Sequence, residues 1–329
     1  MREPSFWARA SSWQATALAP LAALYGAGEA MRRRLTRPQE TEIPVICIGG
    51  LTAGGAGKTP VVRMVAELLQ ELRPAVLSRG FGGTTREAMK VEHQHHRAAL
   101  VGDEPLMLAR DLPVYVARDR RAAFARARAD GVEICLKDDG FQNPTLAHAF
   151  NLIVIDGARG VGNARLLPAG ALRQPLAAAV ARLDALLVIG DATHPTTRNA
   201  LDLCTAAEKP VLHARIEAVS QIAGQSVFAY CGIAHPEKFF ESLRASGATL
   251  ADTMTFDDHH EFNASDCRKI LDAADAPLIT TEKDMARLLN YPPDAPQSAL
   301  ATRSQVFEIR AVADAPEALT ELLLAAINR

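Results

Sequence analysis

The chain has 329 residues, 48% of them hydrophobic and 22% charged, with a formal net charge of -2 at pH 7. This length accommodates two domains with full cores, and the composition excludes a disordered chain. The nearly balanced charge excludes a nucleic-acid protein whose affinity rests on neutralising phosphates, so any basic patch is local.

At the N-terminus, residues 10–28 carry no formal charge and are followed by Arg32, Arg33, Arg34 and Arg37. The stretch is mostly alanine and includes Gln14, Pro20, Gly26 and Gly28, so it falls short of the roughly 20 strongly apolar residues of a membrane span. Trp13, Leu21, Leu24, Met31 and Leu35 fall on one helical stripe, with Phe6 and Trp7 before it and arginines beside it. Such a helix suits a membrane interface, with aromatic rings at headgroup depth and arginines meeting anionic lipid. A helix packed on the protein's own core fits the same pattern.

The apolar run from Ile43 to Ile48 reads as a strand, and from Pro60 a helix follows with Val61, Val65, Leu68 and Leu69 on one face. Between them lies GGLTAGGAGKT. In a phosphate-binding loop, backbone N–H groups wrap phosphate oxygens, a lysine supplies charge and a Ser/Thr hydroxyl holds Mg²⁺. Gly54, Gly55 and Gly57 supply the close backbone approach, Lys58 the charge and Thr59 the metal ligand. The strict pattern is missed because Thr52 stands at the position of its first glycine, so the motif is a GGxGKT variant.

Further apolar runs, Ala75 to Leu77, Val114 to Ala117, Glu133 to Leu136, Leu152 to Ile155 and Ala185 to Ile189, alternate with helical stretches, of which Asp119 to Ala129 is the plainest. Alternation of this kind implies a mostly parallel sheet covered on both faces. A second series starts at Val211: strands Val211 to Ile216, Val227 to Cys231, Thr249 to Thr253, Leu278 to Thr281 and Gln305 to Ala311, and helices Pro236 to Ala245, Ser265 to Ala274, Glu282 to Leu289 and Pro316 to Ile327. It reads as a second, smaller α/β unit with its boundary between residues 206 and 226. Tyr291 to Ser298, rich in proline, reads as a surface loop. Five cysteines lie far apart without a CxxC pair, which suggests neither a disulfide framework nor a zinc site and fits a reducing, cytoplasmic setting.

Three acidic clusters stand out. In EICLKDDGFQN, Asp138 and Asp139 follow a strand, where a nucleotide site places carboxylates that organise Mg²⁺; a solvated Asp-Asp-Gly turn has the same sequence. In VGDEPLMLAR, Asp103 precedes an apolar stretch and reads by itself as a helix cap, with Pro105 in the first turn. FDDHHEF could be a metal site, an acid/base pair around His259, or a polar loop; its H-x-E lacks the P-C-x-x-C of zinc deaminases. VEHQHHR has no ligand set at usual spacing and reads as an exposed turn.

Taken in order, GGLTAGGAGKTP, LSRGFGG, VGDEP, DDGFQN, RGVGNARLLPAGALRQPL, FDDHHEF and TTEKDMARL resemble the tetraacyldisaccharide 4'-kinases, which phosphorylate the lipid A precursor at the inner face of the Gram-negative inner membrane. The match runs from about Gly49 to Leu288, and the arginine-flanked N-terminus also looks like the family's membrane-facing helix. The resemblance implies an α/β fold: a P-loop NTPase-like α/β/α domain over 41–215, carrying residues 1–40 as an amphipathic membrane-associated helix, and a smaller α/β/α domain over 216–329, with the nucleotide in the cleft between the domains. It implies ATP and Mg²⁺ as cofactors, the lipid A precursor as acceptor and the inner-membrane surface as a partner, with no nucleic-acid or protein partner.

Family roles carry to matching positions. Thr52, Gly54, Gly55, Gly57, Lys58 and Thr59 would hold the nucleotide, and Thr59, Asp138 and Asp139 the metal. Asp103 would be the base at the sugar hydroxyl with His259 as its partner, and Arg79, Gln142, Asn143, Arg173 and Gln174 would lie near phosphates or sugar. Two positions depart from the family's usual residues: Asn143 replaces a histidine and Gln174 a glutamate. Neither can carry a charge or a proton at neutral pH, so Asn143 is not an acid-base group. Gln174→Glu is expected to sharpen the Mg²⁺ dependence. Two other readings share the glycine loop: a nucleotide-dependent switch ATPase, and a non-catalytic nucleotide-binding module tethered to a membrane.

Overall fold

The computed structural model describes residues 3–54 and 57–328. It contains two compact units, each assembled from separated stretches of chain. One comprises Glu3–Leu77, Phe124–Ile216 and the chain from Ala311; the other comprises Ser78–Ala123 and Glu217–Arg310. This differs from the expected division at residue 216 in two ways. Residues 78–123, with Asp103, belong with the second unit, and the closing helix Pro316–Ile327 returns to the first.

The first unit is built on strands in the order Ile309–Ala313, Val211–Ala218, Ala185–Ile189, Phe150–Asp156, Val45–Gly50, Cys135–Asp138 and Ala75–Ser78. Val45–Gly50 pairs in parallel with both Cys135–Asp138 and Phe150–Asp156, which places Ile48 opposite Asp138. All six residues of Val45–Gly50 are buried, as expected of a parallel strand covered on both faces. The strand Glu133 to Leu136 read from the sequence is displaced two residues, because Cys135 to Asp138 register with Val45 to Ile48. Asp138 is thereby drawn into the sheet as the last residue of an interior strand, 4% exposed, and Asp139 is the first residue outside it, in the left-handed region at φ 46°.

The N-terminal helices Trp13–Ala17 and Ala19–Leu35 bury only Ala15 and Ala22. The apolar stripe points outward: Trp13 is 77% exposed, Leu24 70%, Met31 63% and Leu35 72%, with Leu21 also exposed. None of the helices among the described residues is long and apolar enough to cross a membrane. The RGVGNARLLPAG segment anchors this region. Trp7 donates its indole N–H to the Pro168 carbonyl at 3.1 Å, Asn163 donates its backbone N–H to the Trp7 carbonyl at 2.7 Å, and a Cβ on Gly162 would lie 2.5 Å from the same carbonyl.

The second unit carries a four-stranded parallel sheet in the order Thr249–Thr255, Ser226–Cys231, Leu278–Thr281, Ser304–Phe307. Alternate residues of Ser226–Cys231 feed two cores, Val227, Ala229 and Cys231 with Phe239 and Phe240, and Phe228 and Tyr230 with Phe262 and Ile270. Period-two side-chain alternation on a strand buried on both faces requires this arrangement. The continuous run Gln305 to Ala311 is divided: Ser304–Phe307 completes this sheet and Ile309–Ala313 the other. The expected loop Tyr291 to Ser298 ends early, since Pro296 opens the helix Pro296–Arg303, where its missing N–H costs nothing. All five cysteines are buried thiols outside any disulfide.

Candidate active site

In the first unit, the glycine loop leaves the buried strand and ends at Gly57, whose φ of 72° caps the helix Lys58–Leu68. Glycine takes that left-handed conformation without the steric cost that a side chain would add. Lys58 and Thr59 therefore occupy the first helical turn, where N–H groups lack intrahelical acceptors and favour an anion. Gly55 lies outside the described residues. The Lys58 ammonium is 3.6 Å from Oδ1 of Asp139 and 3.4 Å from the Gly54 carbonyl.

Two further motif segments close around this loop. Thr52 forms an antiparallel bridge with Leu172, Arg173 donates its backbone N–H to the Leu51 carbonyl, and Gln142 donates its amide N–H to the Gly50 carbonyl at 2.8 Å. Nη1 of Arg173 reaches Oδ2 of Asp139 at 3.0 Å and Oε1 of Gln142 at 3.3 Å. Asp139 is thus flanked by two cations, while Thr59, Asp138 and Asp139 offer hydroxyl and carboxylate oxygens. Such a hard oxygen donor set suits Mg²⁺.

Gln174 and Asn143 do not join this cluster. Gln174 is 1% exposed, and its Oε1 accepts from Nη2 of Arg33 at 2.6 Å and Nη1 of Arg182 at 2.9 Å. Its amide oxygen is thus occupied by two guanidiniums rather than turned toward Asp139. Burial and the adjacent Arg33 push the Arg182 guanidinium below its ordinary pKa. A carboxylate at position 174 would lie between two guanidiniums as a charge-assisted acceptor. Gln174→Glu should therefore raise thermal stability by about 1–2 kcal/mol and leave the Mg²⁺ requirement unchanged, as checked by thermal denaturation and Mg²⁺ titration of the two proteins.

Oδ1 of Asn143 accepts from the Thr145 hydroxyl at 2.5 Å and from the Lys137 ammonium at 3.3 Å. Lys137, fully buried, also reaches the Asn143 carbonyl and Nε2 of His148. Burial, reinforced by Lys137, pushes His148 down to about 3, so it is neutral. Asn143 therefore holds a buried ammonium, and nothing in the sequence pattern around DDGFQN signals that role.

In the second unit, Asp103 opens the helix Asp103–Leu108, with Gly102 rather than Asp103 as its N-cap. The LSRGFGG loop lies backbone to backbone against this entry. A Cβ on Gly83 would approach the Leu100 carbonyl to 2.6 Å, and one on Gly102 would approach the Phe81 carbonyl to 2.7 Å. Contacts this short leave room only for glycine. The loop carries Phe81, 64% exposed, whose ring centroid is 5.2 Å from that of His259. Arg79 is exposed on the same loop.

Asp103 is buried, and its Oδ2 lies 3.0 Å from Nδ1 of His259. His259 sits at φ 58° in the turn formed by FDDHHEF, and its backbone N–H donates to the Gly232 carbonyl. The TTEKDMARL segment completes the cluster. Lys283 is 3.4 Å from Nε2 of His259 and 3.2 Å from Oε1 of Glu104, and Arg287 meets Asp103 at 2.6 Å. Burial alone would raise the Asp103 carboxyl, but the His259 hydrogen bond and the charges of Lys283 and Arg287 overcome it and hold the group well below the ordinary carboxylate range. Lys283 and Arg287 had no assigned role in the sequence, although an acid and a base three apart in TTEKDMARL hinted at an ion pair on one helix face. His93 and His96 are tied into a turn, where their carbonyls accept from the Asn290 amide. Among the described residues, no group of three or more His, Cys, Asp or Glu side chains converges as a metal site.

A family model described as tetraacyldisaccharide-1-P 4'-kinase matches residues 14–328. The chain belongs to that family. Similar relatives include the tetraacyldisaccharide 4'-kinase of Bradyrhizobium diazoefficiens, 50% identical over 304 residues and covering 88% of this chain and 87% of the relative. Another, from Rhodopseudomonas palustris strain HaA2, is 43% identical over 342 residues, covering 100% and 98% of the two chains. The crystal structure of LpxK from Aquifex aeolicus in complex with ATP shares the fold, with a TM-score of 0.76 at 24% identity over 95% of this chain and 99% of that one.

Proposed function

We propose that the protein transfers the γ-phosphoryl group of ATP to the 4'-hydroxyl of the tetraacyldisaccharide 1-phosphate precursor of lipid A. The observation that carries this reading is the buried Asp103 held 3.0 Å from His259 in a chain that also presents Lys58 and Thr59 at a helix start. A switch ATPase needs the second feature without the first. An alcohol acceptor needs both, because a sugar hydroxyl has a pKa far above neutrality and must lose its proton as its oxygen bonds to phosphorus.

In this reaction the acceptor oxygen attacks the γ-phosphorus, the bond to the oxygen bridging β and γ breaks, and ADP departs with that electron pair. The Asp103–His259 pair takes the hydroxyl proton. Lys58 and the loop N–H groups neutralise the phosphate charge that shifts during transfer. Arg173, anchored on Asp139 and Gln142, would fix a phosphate or orient Asp139. Mg²⁺, when bound by Thr59, Asp138 and Asp139, supplies charge neutralisation on the phosphates.

The exposed stripe on the N-terminal helices, with Arg32, Arg33 and Arg34 in the last turn, supports docking on the anionic cytoplasmic face of the inner membrane. Leu24 and Leu35 together changed to serine should weaken partition onto anionic lipid vesicles at least 10-fold, since burying one leucine contributes about 1.5–3 kcal/mol. Unchanged co-sedimentation would remove the stripe from membrane binding. The reaction itself is tested with ATP, Mg²⁺ and dephosphorylated disaccharide lipid in detergent micelles. Phosphate on the sugar is the expected product; slow ATP hydrolysis without transfer would instead favour the switch ATPase.

A further inference from the structure

The first unit sets two guanidiniums on one neutral oxygen. Arg33, in the last turn of the helix Ala19–Leu35, turns inward, its side chain 21% exposed against 49% for Arg32. Its Nη2 and the Nη1 of Arg182 both donate to Oε1 of Gln174, at 2.6 and 2.9 Å. Gln174 gives its oxygen to this pair while its own Nε2, like Nε of Arg33, lies buried with no hydrogen-bond partner among the described residues. Arg33 also meets Glu29, but that carboxylate is shared: Oε1 accepts from Arg32 at 3.0 Å and from Arg33 at 3.1 Å. Burial and the neighbouring Arg33 hold Arg182 below its ordinary pKa, as like charges brought together out of water must. Two partly buried cations sharing a neutral acceptor call for an anion.

Both arginines line a cleft of about 230 Å³, together with Pro38, Leu146, His148 and Asn151. Pockets for drug-sized ligands run to roughly 300–1,000 Å³, so this one admits a small head group rather than a nucleotide. It lies at the end of the sheet away from the glycine loop. Phe150–Asp156 runs parallel to Val45–Gly50, with Phe150 opposite Ile46 and Val154 opposite Gly50. Asn151 is therefore where these strands begin, and the glycine loop leaves where they finish. His148 is neutral and spent on its neighbours: Nδ1 donates to Oδ1 of Asn151 at 2.8 Å, and Nε2 accepts from Lys137 at 3.0 Å. Asp184 is likewise committed, accepting the backbone N–H and the amide of Asn151 at 2.8 and 3.1 Å. A bridge between Gln39 and Leu146 fixes the adjoining backbone.

We propose that this cleft is a second anion site, in which Arg33 and Arg182 together hold a phosphate monoester carried by a lipid. A monoester dianion matches two guanidiniums, whose planar forks fit phosphate oxygens. A lipid is the carrier because Arg33 belongs to the helix that exposes Leu24, Met31 and Leu35, so a head group enters the cleft while its chains stay beside the apolar stripe. No bond is made or broken there. The site ties the last turn of that helix to a head group, and it does not depend on the kinase reading above. The acceptor's 1-phosphate and inorganic phosphate share the same chemistry, and the test separates them.

Partition of the full-length protein is measured onto phosphatidylcholine vesicles doped equally with phosphatidate, a monoester, or phosphatidylglycerol, an anionic diester. The wild type should favour phosphatidate about 10-fold, the value of a charge-assisted hydrogen bond. Gln174→Glu keeps every arginine and sets a carboxylate between the two guanidiniums. It should lose that preference, while its partition onto phosphatidylglycerol falls by less than about 5-fold, the worth of one charge at a membrane surface. Arg182→Gln should lose the preference as well, and Gln174→Glu judges the site where Arg182→Gln does not fold. Vesicles doped with the acceptor or with its counterpart lacking the 1-phosphate, and thermal denaturation in inorganic phosphate alone, identify the carrier. A gain on a monoester lipid that Gln174→Glu abolishes supports the proposal and names a membrane lipid or the acceptor according to the vesicle. Protection by inorganic phosphate with no gain on any vesicle overturns the lipid as carrier. No gain in any arm, or one that both variants leave intact, overturns the site.

Discussion

Lys58→Ala is expected to lower phosphoryl transfer by about 10³-fold or more, equivalent to about 4 kcal/mol of lost transition-state stabilisation. The ammonium stands at the junction of the glycine turn and the helix Lys58–Leu68, 3.6 Å from Asp139. Phosphoryl transfer depends almost entirely on positioning and charge neutralisation, so a fixed cation there acts on the step itself. Asp139 keeps Arg173 as an ion-pair partner at 3.0 Å when Lys58 is removed, so the variant should fold with little loss of stability. Single-turnover transfer from labelled ATP, beside a melting curve, separates the two effects. A rate within 10-fold of wild type would take Lys58 out of the phosphate site.

His259→Ala and Asp103→Asn should each lower turnover about 10²–10⁴-fold, the usual contribution of general acid-base catalysis, with nucleotide affinity changed less than about 3-fold. The second expectation follows because Gly57, Lys58, Asp139 and Arg173 keep every contact they make with one another. Asparagine is the sound replacement at position 103. Asp103→Ala would strand the buried Arg287 guanidinium without its carboxylate, and breaking such a pair from one side costs about 3–5 kcal/mol. Of the three changes, Lys58→Ala should have the largest effect. A fluorescent ATP analogue titration and steady-state transfer on the same preparations check this, and unchanged turnover in either variant removes that residue from the mechanism.

Local signals identified most elements correctly, and non-local ones were lost. Pro236–Ala245, Leu278–Thr281 and Pro316–Ile327 have the bounds read from apolar periodicity and proline starts, because each boundary is set by residues within one turn of it. Gln305 to Ala311 carried no punctuation to show that its two halves join different sheets, a matter of topology rather than propensity. The same distinction runs through the site. Lys58, Thr59 and Asp139 lie where local pattern set them, at a helix start and just past a strand end, because the glycine loop is a contiguous motif. His259 and Asp103, 156 residues apart, came only through family resemblance. The partners of Gln174, Arg33 and Arg182, lie at distances of 141 and 8 residues along the chain, and nothing local marks which way a buried amide turns.

The interleaved path of the chain also governs the order in which it can be made. Asp103 and Arg287 are 184 residues apart, so at about 5–20 residues per second of synthesis the carboxylate leaves the ribosome roughly 10–40 s before its guanidinium. Through that interval the nascent aspartate has no guanidinium to pair with. Neither unit can close until translation has passed Arg310, which makes late termination products, rather than early ones, the species most in need of a chaperone.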